Sequence, residues 1–130
     1  MNYEEILTAI KAVTNEFIVI GSYALFKQGI EDSPHDCDIL LSPEVSEETR
    51  AAVEALLQER FGAPLRRLPK YTGFKGFDVL FNLGDRFSSF VDVCAETAEI
   101  DGVKYLTPHG LGLYHPMRYD RFLSEEERRA

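Results

Sequence analysis

The first 30 residues combine a helical and a strand-like arrangement of apolar positions. Four apolar residues recur at the spacing of one helix face: Ile6, Leu7, Ile10 and Val13. This spacing predicts an amphipathic helix. Residues 17–20, Phe-Ile-Val-Ile, are apolar throughout and end at Gly21, a pattern typical of a short strand buried on both faces. We expect a second helix to begin at Ser22, a good N-cap residue, and to run toward Gly29.

A second strand and a longer helix follow. Turn-forming residues at 32–34 lead into Asp-Cys-Asp-Ile-Leu-Leu at residues 36–41, which we predict to be a strand. A helix should start after Ser46 and close at Gly62. Its predicted buried stripe consists of Ala52, Val53, Leu56, Leu57 and Phe61.

The second half of the chain has shorter patterns. Residues 65–71 are basic, and residues 74–83 are rich in Phe, Val and Leu around Asp78; we interpret these as a hairpin or two adjacent strands. Residues 87–98 fit a helix better than a strand. Asp101-Gly102 is the sequence of a tight hairpin turn.

The composition supports one packed domain over residues 1–130. Hydrophobic residues make up 45% of the chain and nine of them are Phe, which is enough apolar surface for a core without metal or disulfide staples. The charged tail at 120–130 is predicted to be a short solvated helix or a frayed end. We expect no second domain.

The charge balance restricts the class of partner. The chain has 14 basic and 22 acidic residues, for a net charge of −8, so it repels a nucleic-acid backbone and duplex DNA or RNA is not an expected partner. Clustered carboxylates can still serve a purpose, because a divalent cation relieves their mutual repulsion.

The chain carries none of the usual signals for export or membrane insertion. Its N-terminus has two acids and lacks a basic leader, and no apolar run approaches the roughly 20 residues that span a bilayer. The two cysteines, Cys37 and Cys94, show no metal-ligand spacing. We therefore expect a cytoplasmic location.

Two acids in the second predicted strand are candidates for metal binding. Side chains alternate along a strand, so Asp36 and Asp38 should lie on one face, with Cys37 on the other. Two such carboxylates raise each other's pKa unless one or two Mg²⁺ ions lie between them. Solvated strand-end acids are the ordinary alternative for either residue taken alone.

The turn after the first strand is a candidate phosphate site. Gly21 allows a sharp turn, and Ser22 offers a hydroxyl beside the free N–H groups of a helix start. Together with the carboxylates of the neighbouring strand, such a turn would hold a nucleoside triphosphate between metal and helix, as phosphoryl or nucleotidyl transfer requires.

The motifs in this order resemble the signature of the DNA polymerase β-like nucleotidyltransferase superfamily. The matching residues are I-V-I-G-S at 18–22 and D-C-D-I-L-L at 36–41, thirteen residues apart. They are most similar to the small bacterial branch, which includes minimal nucleotidyltransferases and antibiotic adenylyltransferases. The resemblance implies an α/β (α+β) nucleotidyltransferase fold, with a small mixed sheet flanked by helices.

The same resemblance assigns roles to residues of this chain. It makes Gly21 and Ser22 phosphate-binding, Asp36 and Asp38 catalytic metal ligands, and Asp78 in G-F-D-V-L-F the third carboxylate. It implies Mg²⁺ or Mn²⁺ as the metal, a nucleoside triphosphate such as ATP as donor, and a hydroxyl acceptor of unknown identity.

Alternatives remain at several of these points. Asp92 in F-V-D-V-C is a second candidate for the third carboxylate, although its helical neighbours describe a solvated face. Family members often carry a lysine and an Arg-x-Lys-Asp cluster near the C-terminus, whereas this chain has no lysine after Lys104. A catalytically silent module that binds a nucleotide or a partner protein is therefore the second hypothesis, and a metal-dependent phosphohydrolase the third. An open cleft also indicates a homodimer or a partner subunit.

Histidines and basic residues are weaker candidates. His35 could orient Asp36 or contact phosphate, but a loop histidine is more often solvent-exposed. We interpret His109 and His115 as structural. Basic residues of the 65–75 region could neutralise a triphosphate or protect an edge strand, and these are Arg66, Arg67, Lys70 and Lys75.

Overall fold

The structure is a computed structural model that describes residues 2–31, 34 and 36–130. Its helices are α1 Tyr3–Val13, α2 Gly21–Lys27, α3 Glu47–Phe61, α4 Phe90–Cys94, α5 Pro108–Tyr114, α6 Pro116–Tyr119 and α7 Glu125–Arg129, with a 3₁₀ turn at Asp120–Phe122. Its strands are β1 Phe17–Ile20, β2 Cys37–Leu41, β3 Arg66–Leu68, β4 Tyr71–Phe74, β5 Phe77–Leu80, β6 Thr97–Ile100 and β7 Val103–Leu106.

The strands of the described residues form one mixed sheet in the order β3-β4-β5-β2-β1-β7-β6. Strand β1 is antiparallel to β2 and parallel to β7, and the central strand β2 is parallel to β5. The end of β1 therefore lies beside the starts of β2 and β5. This is where the candidate residues of the sequence converge.

A hydrophobic cluster covers each face of the sheet. On one face α1 and α3 pack against alternate strand residues such as Cys37, Ile39 and Val79. On the other, α4, α5 and α6 cover Ile18 and Leu40. Every residue of β1 is buried, because that strand lies between both layers, as its unbroken apolar run predicts.

Several local predictions are confirmed. The α1 helix buries Ile6, Leu7 and Ile10, whereas Val13 at its last turn is exposed. The Ser46 side chain accepts from the Thr49 N–H at the start of α3, which ends at Gly62 with φ +83°. Asp101 and Gly102 both have positive φ, 52° and 79°, as a type I′ hairpin turn between β6 and β7 requires.

Other local predictions are wrong in part. Residues 87–98 form only the five-residue α4 before the chain enters β6, because pairing with β7 extends the backbone. Ala52 is exposed, so the buried stripe of α3 is narrower than predicted. The predicted tail helix forms as α7, but it is tied to the body through Glu127 rather than solvated throughout. No helix of the described residues is long and apolar enough to cross a membrane.

Candidate active site

Gly21 turns the chain sharply at the end of β1, directly against Asp38. Its φ is +74°, and a Cβ at this position would lie 2.6 Å from Asp38 Oδ2. Glycine is thus required twice, for the left-handed backbone and for the close approach of the carboxylate. The Gly21 turn and the Asp38 carboxyl group are therefore direct neighbours.

The predicted N-cap role of Ser22 is wrong. The α2 helix begins one residue earlier, with Ile20 at the N-cap position and no side-chain capping bond. The positive φ of Gly21 accounts for this, because the turn occurs at the glycine and carries Ser22 into the first helical turn. Ser22 is half-buried there, beside the glycine that contacts Asp38.

A continuous row of residues crosses the sheet at this level. The backbone register pairs Ile20 with Asp38, Asp38 with Asp78, Asp78 with Gly73, and Gly73 with Arg66. Two acids therefore lie side by side on the parallel strands β2 and β5. Their face is the one that α4, α5 and α6 partly cover.

Asp36 precedes β2 and is exposed, so the predicted strand starts one residue later than its sequence suggests. A Cβ at Gly76 would lie 3.9 Å from Asp36 Oδ1 and 3.3 Å from the Tyr3 hydroxyl, and that hydroxyl donates to the Gly76 carbonyl at 3.0 Å. These contacts place the Asp36 carboxylate at the start of β5, near Asp78.

The carboxyl groups alter each other's protonation. Burial is the largest cause that raises the pKa of Asp38 to about 7; the Asp78 and Asp36 charges raise it further, and Arg118 opposes them. Burial and Asp36 also raise the pKa of Asp78, while Arg66 lowers it. Asp38 and Asp78 share a hydrogen bond, which raises the pKa of Asp38 and lowers that of Asp78.

Three side chains near these acids are Arg66, Arg118 and Tyr119. The sequence indicated Arg66 only as part of a basic region, and it did not indicate Arg118 or Tyr119 as site residues. Arg118 of α6 acts on Asp38 and Arg66 of β3 on Asp78. Within the described part of the chain, the buried Tyr119 hydroxyl has no hydrogen-bond partner. The R-Y pair at 118–119 could have been noticed in the region without lysine, but its proximity to β2 depends on the fold.

The donor set suits Mg²⁺ in its chemistry, because carboxylate oxygens are the ligands that this ion prefers. The side chains do not already form a coordination shell: among residues 2–31, 34 and 36–130, no group of three or more His, Cys, Asp or Glu is arranged to hold a metal. The Asp38–Asp78 hydrogen bond is the contact that a cation would replace.

The remaining candidates lie elsewhere or form other contacts. Asp92 is exposed on α4, where its N–H is bound by the Ser89 side chain. His109 contacts Glu96 at 3.1 Å and Glu127 at 2.7 Å, in agreement with a structural role. His35 lies outside the described residues.

Comparisons with known proteins agree with this architecture. No family model and no curated protein match the sequence. The fold is similar to the 1.87 Å crystal structure of a "putative nucleotidyltransferase" from Thermotoga maritima, with a TM-score of 0.53 and 19% sequence identity. The match covers 98% of this chain and 90% of that one. The mixed sheet flanked by helices is therefore an α/β nucleotidyltransferase fold.

Proposed function

We propose that this protein is a metal-dependent nucleotidyltransferase that transfers a nucleoside monophosphate from a nucleoside triphosphate, with ATP as the expected donor, to a hydroxyl group. The observation that carries the proposal is the juxtaposition of Asp38 and Asp78 on neighbouring parallel strands, with Gly21 packed against Asp38. Two half-buried carboxyl groups this close favour sharing a proton over both being charged, and a divalent cation in place of that proton would stabilise both as carboxylates.

The triphosphate would lie on the Gly21 side of this row. Gly21 and Ser22 bring backbone close to Asp38, and Arg118 adds positive charge near the same acid. The buried Tyr119 hydroxyl is a further donor in this part of the molecule. Arg118 would supply the positive charge that a C-terminal lysine provides in the family which the sequence resembles.

Asp36, Asp38 and Asp78 would hold Mg²⁺ or Mn²⁺. When bound, such an ion polarises the phosphoryl oxygens and stabilises the negative charge that develops during transfer. The chain's own residues orient the donor: Asp36 and Asp38 lie at the start of β2, and the Gly21 turn limits where phosphate oxygens can approach.

Asp78 would accept a proton from the acceptor. It lies on the far side of Asp38 from Gly21 and is only partly buried. As the acceptor oxygen attacks the α-phosphorus, its proton passes to the Asp78 carboxylate and pyrophosphate leaves. Loss of Asp78 should therefore lower turnover more than nucleotide affinity.

The first experiment measures binding of ATP by calorimetry with Mg²⁺ and in EDTA, followed by transfer of label from α-labelled ATP to components of a cell extract. We expect Mg²⁺-dependent binding and transfer. Binding without transfer would favour the silent nucleotide-binding module, and release of inorganic phosphate without transfer would favour the phosphohydrolase. The absence of binding at millimolar ATP contradicts the proposal.

The second experiment compares Asp78→Asn with its matched control Asp92→Asn. Removing one carboxylate from the paired strands should abolish transfer and leave ATP affinity within a few-fold of the wild-type value. The exposed Asp92 should be replaceable without loss of either. If instead the Asp92 variant alone loses transfer, the assignment of the third carboxylate is wrong.

A further inference from the structure

A wide groove begins at Leu80, two residues along β5 from Asp78. It has a volume of about 920 Å³, within the size range of small-molecule sites. The groove runs between the end of β5 and helices α5 and α6, and its lining includes Lys70, Leu80, Asn82, Arg86, Tyr114 and Met117.

The strand register connects this groove to Asp78. Leu80 forms part of its floor and lies two residues after Asp78 on the same strand face. Leu80 pairs with Tyr71, and Tyr71 with Leu68, so an apolar row runs beside the row that contains the acids. A ligand in the groove would therefore have an apolar surface next to a carboxylate.

Gly73 lets two side chains pack closely against β4. A Cβ at Gly73 would lie 3.0 Å from Asp78 Oδ1 and 3.3 Å from Tyr71 Cε2, so a larger residue would displace the carboxylate or the tyrosine ring. The ring therefore lies beside Asp78 on the side that faces away from Gly21.

Lys70 is the groove cation that is most accessible to an anionic ligand. It makes no ion pair within the described residues, whereas the nearby Arg67 is paired with Glu54 at 2.7 Å. Arg86 is held by the C-terminal segment, where it donates to the Glu127 carbonyl at 3.1 Å and to the Ala130 oxygen at 3.5 Å. Asp85 also lines the groove and limits the net positive charge.

We propose that this groove binds the acceptor, and that the acceptor is a small polyhydroxyl molecule with an anionic group, such as a phosphorylated sugar. The assignment rests on the proposed function, because it follows from placing the triphosphate on the Gly21 side of Asp38. The reacting hydroxyl then lies at Asp78, the ring packs over Leu80 and Tyr71, and the anionic group binds Lys70.

The dimensions agree with such a ligand. The Lys70 carbonyl accepts from the Phe81 N–H at 2.9 Å, so Lys70 lies beside a residue three positions after Asp78. Three residues of a strand span about 10 Å. A single sugar ring with a phosphate on its terminal carbon bridges a distance of this order.

Ribose 5-phosphate and ribose provide a matched pair of probes. Their affinities are measured by calorimetry on the full chain saturated with Mg²⁺ and a non-hydrolysable ATP analogue, so that the triphosphate site is already filled. We expect ribose 5-phosphate to bind more tightly than ribose by about tenfold, the effect of one charge-assisted contact.

Three variants distinguish this groove from other basic surfaces. Lys70→Gln removes the cation, and Met117→Glu adds an opposing charge at a residue that is 93% exposed and should not affect folding. Both should lose most of the preference for ribose 5-phosphate. Lys104→Gln, a basic residue of a different cavity, should retain it.

The outcomes separate the two proposals. If the ATP analogue binds but ribose 5-phosphate has no advantage over ribose, or if both groove variants bind it like the wild type, the acceptor assignment is overturned and the proposed function stands. If the ATP analogue does not bind with Mg²⁺, the proposed function is overturned and the acceptor assignment with it.

Discussion

At the scale of single residues, the close approach of Gly21 to Asp38 connects the candidate phosphate-binding turn to the candidate metal site. Replacing Gly21 with alanine introduces a Cβ at 2.6 Å from a carboxylate oxygen and requires a φ of +74°. We expect Gly21→Ala to lower the free energy of unfolding by more than the about 1–2 kcal/mol of the backbone term, and to weaken Mg²⁺–ATP binding. Chemical denaturation and calorimetry measure the two effects.

Gly29 is the matched control for this substitution. Its φ is +78°, but a Cβ there would meet no atom of the described residues within 4 Å. Gly29→Ala should therefore show only the backbone cost of about 1–2 kcal/mol and bind ATP normally. Equal losses of stability in the two variants would contradict the role of the Asp38 contact.

Asp38→Asn tests the cost of the buried acid. Asn keeps the shape and removes the charge that burial, Asp78 and Asp36 disfavour. We expect the melting temperature in EDTA to be unchanged or raised, by about 4 °C for each kcal/mol of relieved repulsion, and the stabilisation by Mg²⁺–ATP to be lost. A large decrease of the melting temperature in EDTA would mean that the carboxylate stabilises the fold.

The sequence contains the signals for some site residues but not for others. Asp78 is distinguished from Asp92 by its apolar strand neighbours, and the structure places the two as that pattern indicates. Arg118 lies 80 positions after Asp38, and only the packing of α6 brings their charges together. The displaced start of α2 also depends on a tertiary contact, that of Gly21 with Asp38.

At the scale of elements, the C-terminal helix depends on a titratable connection. His109 of α5 contacts Glu96 and Glu127, and these glutamates raise the pKa of His109. The Ser124 backbone and His109 in turn lower the pKa of Glu127 to about 2. This connection holds α7 against the body of the protein.

The pKa shifts of His109 and Glu127 predict the pH values at which α7 is held less firmly against the protein. Protonated His109 is favoured in the folded state, so its contribution to stability is present below pH 6.5 and is lost as the pH rises through the raised pKa. The Glu127 contribution is present above its ordinary pKa of 4.5 and is lost as the pH falls toward 2. Hydrogen exchange of α7 amides, corrected for intrinsic rates, should show less protection at pH 8 than at pH 6.

His109→Gln serves as the control for this pH dependence. The variant should show the lower protection of α7 at both pH values, while amides of β1 remain protected. A pH-dependent change of the same size in the variant would assign the effect to another group.

The shorter elements show why the sequence pattern was insufficient there. Residues 97–100, Thr-Ala-Glu-Ile, alternate between polar and apolar over only four positions, and they form β6 because the Asp101-Gly102 turn folds them onto β7. The α4 helix has only five residues, too few for periodicity to define. By contrast, α1 and α3 have three or more turns, which is long enough for the spacing of apolar residues to predict a helix.

At the scale of the whole molecule, the net charge of −8 should exclude long polyanions even though the groove can hold a small one. Lys70 and Arg86 lie in a recess and do not form an extended basic surface of the kind that follows a phosphate backbone. We expect no change in the fluorescence anisotropy of a labelled 20-base-pair DNA duplex at 0.15 M salt. Micromolar binding would contradict this conclusion.

The order of helical and strand patterns, together with the motif resemblance, predicts the fold class. It does not predict the order of the strands in the sheet. The pairing of β2 with β5 joins residues 40 positions apart. Neither the spacing nor the periodicity of the sequence specifies that pairing. It results from the apolar face that Cys37, Ile39, Phe77 and Val79 share beneath α1 and α3.

Side chains alternate between the two faces of β2 and β5. The residues that stabilise the fold therefore lie on one face, and the candidate site carboxylates lie on the other. Cys37, Ile39, Phe77 and Val79 fix the register from the buried face, since a slip by one residue would turn these side chains to the opposite face. Asp38 and Asp78, on the opposite face, are not needed to fix the register. A duplicated gene could therefore lose the proposed activity through one carboxylate substitution and still encode a stably folded protein, so inactive descendants of this fold should arise readily and persist.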